Sequence, residues 1–196
     1  APDRLSAPLA GDAGHLVHMP AHIYYRLGRW KDSIRVNIDA ARKDEAYIKE
    51  SDDKAFVRYG YYPHNVHFIV TSAQMGGDLP TAIREANKLA TIVDANTASQ
   101  LGWVQAIYAA PYFATLQFAP AADVLELPEP DPRLTYVQGV RHYARAVAFA
   151  QQKNDIGFTR ELKELARIRQ LDSLKPMVDQ GMPAPEARFS SRRHGR

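Results

Sequence analysis

The chain has 196 residues, 45% of them hydrophobic, with 25 lysines and arginines against 22 aspartates and glutamates and no cysteine. Such a composition can bury a core without staples, and it excludes disulfides, thiolate metal sites and a cysteine nucleophile. The formal charge of +3 belongs to the last sixteen residues, where Arg188, Arg192, Arg193 and Arg196 face only Glu186. The rest is balanced, so the electrostatic footprint of a nucleic-acid partner is missing.

No run of about 18 apolar residues occurs, and the first residues lack the charged-then-apolar order of a signal peptide. A soluble chain of cytoplasm or periplasm, with no membrane partner, is expected. Its start at Ala1 rather than Met is read as processing or as a piece of something longer.

Proline is tolerated in the first turn of a helix and disruptive inside one. The Pro-free windows from Ile23 to Tyr62, Thr81 to Ala110 and Arg133 to Lys175 are therefore the candidate helices. Ile34, Ile38, Ala41 and Ala46 make an approximate helical stripe in the first window, and Ile83, Ala86, Leu89, Ala90 and Val93 a clearer one in the second. In the last, Leu162, Leu165, Ala166 and Ile168 share a face. The apolar cluster Val66 to Val70 lacks alternation and reads as buried helix rather than strand. Pro128, Pro130 and Pro132 make residues 127–132 an extended connector. The expected organisation is an all-α domain over residues 1–175 and a Pro/Arg-rich flexible tail over 176–196.

One turn pattern recurs. Leu27-Gly28-Arg29-Trp30 and Met75-Gly76-Gly77-Asp78 each read as helix end, glycine turn and helix start, with Ser33-Ile34 and Ala82-Ile83 five positions after the aligned Gly28 and Gly77. Weaker copies sit at Ala119 and Asn154, giving spacings of 49, 42 and 35 residues. Ala21, Tyr24, Gly28, Trp30, Ser33 and Ala40 in the first copy resemble the tetratricopeptide-repeat family, whose unit of about 34 residues is a helical hairpin. The strings Gly14 to Tyr24 and Tyr61 to Phe68 are also similar to a His-rich bacterial branch of that family. The resemblance implies about four irregular stacked hairpins, an insertion around Glu50 to Gly60, and further chain before residue 1. It also implies small residues where paired helices approach, with Trp30 and Trp103 packing between them.

Five of the seven histidines crowd into two strings. His15, His18 and His22 are spaced i, i+3, i+7, which places them on one helical face, and His18 with His22 is an i, i+4 pair able to chelate one ion. His64 and His67 form a second pair. His15 and His64 both lie thirteen residues before their turn glycine, and His18 and His67 both lie ten before it. In the tetratricopeptide architecture these places lie on first helices that line a concave surface, and the resemblance supplies that step.

Two functions follow as expectations. One is a binding or assembly module that takes a peptide or protein segment on the concave first-helix face. An uncovered terminal hairpin would then favour a homodimer or docking to a missing amino-terminal part. The other is a metal-binding protein or mononuclear metal-dependent hydrolase or oxidoreductase. His18, His22 and His67, completed by His15 or His64, would hold zinc, copper, nickel or iron. Tyr24, Tyr25, Arg26, Tyr61, Tyr62, Asn65 and Thr71 would line the groove or support the ligands. No carboxylate lies inside either string, so a two-histidine, one-carboxylate site would need Asp44, Glu45 or Asp53 to fold inward. His142 falls one step out of this register and reads as structural.

Overall fold

A computed structural model describes residues 14–51, 57–175 and 177. The expected tail, its arginines and His194 lie outside the described residues apart from Met177, as does Asp53 within the expected insertion. Every element among the described residues is helical, and none of these helices is long and apolar enough to cross a membrane. The chain divides into two compact units, with the boundary between Val93 and Asp94.

In the amino-terminal unit, α1 (Gly14–His18) and α2 (Pro20–Arg26) are separated only by Met19, which keeps helical dihedrals. Pro20 lacks the N–H that would continue the ladder, yet the helical register carries through. Then come α3 (Trp30–Ser51), a π-turn (Val57–Tyr61), α4 (Tyr62–Gly76) and α5 (Leu79–Ile92). Helix α3 packs along α1, α2 and α4, and α4 packs along α5.

The second unit holds α6 (Ala95–Gln100), α7 (Gly102–Tyr108), α8 (Ala110–Phe118), α9 (Ala121–Glu126), α10 (Thr135–Gln151), α11 (Asp155–Ile168) and a 3₁₀ turn (Asp172–Leu174). Here α10 is the centre, packing against α7, α8, α9 and α11. The Pro-free window from Thr81 to Ala110 is thus three helices rather than one. Asp94 interrupts it because its side chain caps Thr97 N–H and starts α6.

Three of the four expected turns share one geometry. Gly28 (φ 71°) and Gly77 (φ 73°) are left-handed, and the following residues send N–H bonds back to Tyr24 and Ala73 at 2.9 Å each. This is the six-to-one closure of a helix end. In the fourth turn the left-handed residue is Lys153 (φ 57°), one before the expected anchor, and Asn154 N–H closes on Phe149 at 2.9 Å. Asn154 instead caps α11 through Gly157 N–H. At Ala119 the chain is extended into Pro120, and no left-handed residue is needed.

The buried stripe of α3 is not the row of isoleucines. Ser33, Val36, Asn37, Ala40, Ala41 and Asp44 are buried, whereas Ile34 and Ile38 are half-buried and Ala46 is exposed. Three of the six are polar, and each has a partner on another helix. Ser33 Oγ meets Ser72 Oγ at 2.7 Å, Asn37 Oδ1 meets His18 Nδ1 at 2.6 Å, and Asn65 Nδ2 donates to Asp44 Oδ2 at 2.7 Å. Buried polar groups are tolerated when paired, and pairs fix register as apolar contacts do not.

Gly14 is required where α1 meets α3, since a Cβ there would stand 2.0 Å from Asp44 Oδ1. On α11 the buried face carries Gly157, Glu161 and Ile168, while Leu162 and Ala166 of the expected face are exposed. Trp30 packs over Gly76, but Trp103, expected between helices, is 37% exposed.

Candidate metal centre

The α1–α2 register and the packing of α3 against α1, α2 and α4 bring three imidazoles to one point. His18 Nε2 lies 2.9 Å from His22 Nε2 and 3.1 Å from His64 Nε2. The ligand atoms of the three residues all fall within 4.8 Å of one another. Nitrogens around a tetrahedral zinc with Zn–N of about 2.0–2.1 Å stand roughly 3.3 Å apart, so the spacing suits a single small cation.

Hydrogen bonding sets the tautomer of the central ring. Asn37 Nδ2 donates to Ser33 O at 2.7 Å, which turns Asn37 Oδ1 toward His18 Nδ1. A carbonyl oxygen only accepts, so the His18 proton sits on Nδ1 and Nε2 presents its lone pair to His22 and His64. A ligating histidine held through its other nitrogen by a carbonyl is the usual outer-sphere arrangement. One in-plane lone pair can accept from only one of the two facing rings, whereas a cation among the three nitrogens accepts all three lone pairs.

The surroundings keep these rings neutral. Burial pushes the fully buried His18 down to about 3, with the Asn37 bond opposing and His64, His22 and His15 adding to the shift. Burial, then His22 and His15, brings His64 down to about 4. His22, the exposed member, is lowered by burial and by His15. Neutral imidazoles are the ligating form.

The other predicted residues fall into clear places. His15 stacks on Tyr61 with ring centroids 4.1 Å apart and on His18 at 5.7 Å; its Nδ1 is buried with no hydrogen-bond partner among the described residues. His67 is not among the three convergent rings. It is half-buried by its side-chain surface, and burial followed by His64 holds its imidazole at about 4. Tyr24, expected in the groove, is fully buried with Ala21 and Val36, and Arg29 lies over its ring. Asn65 is occupied by Asp44, Arg26 is exposed, and Thr71 donates to Phe68 O.

Tyr62 and Lys88 both donate to Glu45, at 2.7 and 2.5 Å, and Tyr62 lines a separate pocket of about 460 Å³ with Ile48, Lys49 and Ile92. Neither Asp44 nor Glu45 joins the trio. Burial raises Asp44 to about 6, the Asn65 bond opposing.

Two contributors were not visible in the motifs. Asn37 lies nineteen residues from His18 and on another helix. Its only signal was a polar residue between the isoleucines of α3. Phe68 sits edge-on to His18 and His22 at 5.0 and 4.8 Å, and meets Tyr25 at 5.5 Å, which in turn meets Trp30 at 4.9 Å. The rings thus form a ladder from Tyr61 through the histidines to Trp30.

Fold and cluster together define an all-α protein with a three-histidine centre built by α1, α2 and α4. No family model, curated protein or solved structure matches the chain.

Proposed function

We propose that the amino-terminal unit binds one transition-metal ion through His18, His22 and His64. The convergence of three ring nitrogens on one point carries this reading, and the Asn37 bond that commits His18 Nε2 to ligation supports it. Three neutral imidazoles suit zinc, copper, nickel or iron(II). A three-ligand set leaves a position for water or substrate, the arrangement by which catalytic zinc sites differ from closed structural ones. Protein purified without a polyhistidine tag should carry close to one equivalent of metal by elemental analysis. His22→Ala, which alters an exposed side chain, should abolish that content while the helical circular dichroism persists. Trace metal in the unaltered protein after incubation with zinc would overturn the reading.

A second reading is a binding or assembly module that receives a peptide or protein segment along α1–α2. It is favoured by an exposed apolar row at Leu16, Met19, Ile23 and Leu27, spaced i, i+3, i+7, i+11. Ile23→Asp with Leu27→Asp would abolish such docking and leave metal content unchanged.

A further inference from the structure

The metal reading leaves open what occupies the remaining position, and three features of the same face narrow it. Among the described residues the ligand set is uncharged, because neither Asp44 nor Glu45 reaches the trio. A divalent ion held there keeps its full charge, and an anion is the ligand that relieves it. His22 is the exposed member, so the trio meets solvent on its side. Beside His22 stands Phe68, half-buried, with half-buried Tyr25 next along the ladder. The Phe68 ring thus offers an apolar surface beside two of the three ligands, with Tyr25 extending it. Small-molecule sites combine such walls with a few placed polar groups or a metal.

We propose that the centre takes a small carboxylate carrying an aromatic body, its oxygen on the ion and its ring against Phe68 and Tyr25. The inference rests on the metal reading. The carboxylate supplies the charge the imidazoles lack, and the ring gains edge-on contacts of the kind His18 and His22 already make with Phe68. Such a contact adds about tenfold in affinity beyond the carboxylate alone.

Cobalt(II) loaded into the metal-stripped protein gives visible bands that report on the fourth ligand, and acetate and phenylacetate are the probes. Phenylacetate should shift the bands saturably at about one tenth of the acetate concentration. Phe68→Leu should bring the two within about threefold when both anions are titrated into the cobalt-loaded variant. Equal affinities in the unaltered protein, or bands that ignore both anions while cobalt remains bound, would overturn this inference and spare the metal reading. Failure to bind cobalt at all would remove both. The comparison in the unaltered protein decides the matter even if Phe68→Leu misfolds.

Discussion

His18 and His142 each meet a side-chain oxygen at 2.6 Å through Nδ1, and the two units use that bond for different ends. In the amino-terminal unit the oxygen is the Asn37 carbonyl, which is neutral and already ordered by Ser33. The ring stays neutral and its other nitrogen faces two more imidazoles. In the second unit the oxygen belongs to Glu161, 2% exposed, which also accepts from Arg145 at 3.2 Å and Arg160 at 3.1 Å. Against the desolvation of burial, the bonds from His142 and Arg160 and the charge of Arg145 hold the Glu161 carboxyl below its usual range. Arg145 continues to Leu125 O and so ties α9 to α10, as Glu161 ties α11 to α10. The same imidazole bond therefore presents a lone pair where its partner is a carbonyl, and closes an ion cluster where its partner is a carboxylate.

The comparison is tested most severely by acid. His18, His64 and His67 titrate at about 3, 4 and 4 when folded, against 6.5 for a free imidazole. Below that value the unfolded chain binds protons the folded unit refuses. Their contribution is whole above about pH 6.5 and is lost as the pH falls toward the folded values. Asp44 acts in the opposite sense: its folded value near 6 exceeds 3.8, so its contribution is present below about pH 4 and lost as the pH rises through 6. With three groups against one, hydrogen-exchange protection of α1 to α4 in metal-free protein should fall steeply between pH 6.5 and 4. Asp44→Asn should steepen that fall. Flat protection over this range would mean the histidines are not buried as described.

Glu161→Ala should destabilise the second unit by about 1–3 kcal/mol in urea denaturation, because it removes the acceptor shared by half-buried His142 and Arg145, and should leave metal affinity unchanged. A coupled loss of metal would break the division of roles drawn above. Asn37→Leu sharpens the other side. Removing the carbonyl that orients His18 should weaken zinc binding about 10- to 100-fold by competition with a chromophoric chelator. An unchanged affinity would show that ring packing, not the hydrogen bond, aims His18.

The hairpin turns were legible because glycine leaves a local signature: only Gly28 and Gly77 satisfy a left-handed helix end cheaply. Lys153 was missed for the same reason, since a residue with a Cβ holds that conformation and gives no signal. The histidine face of α1–α2 was legible from spacing, whereas the approach of the second string was only what the family resemblance implied. Spacing also favoured His67, which shares the register of His18 but not its meeting point; His64, offered as a completing ligand, is the ring that meets His18. The stripe of α3 misled because hydrophobicity selects Ile34 and Ile38, whereas the helix buries Ser33, Asn37 and Asp44 against partners far along the chain.

Local chemistry alone thus determined an all-α chain, its turn glycines and two histidine rows on helical faces, because helix periodicity and left-handed turns depend on residues within a few positions. Which rings converge, which tautomer His18 adopts and which oxygen each buried polar group meets were decided only by packing. Those outcomes depend on pairs nineteen to forty-six residues apart, whose distance is set by how neighbouring helices rotate against one another.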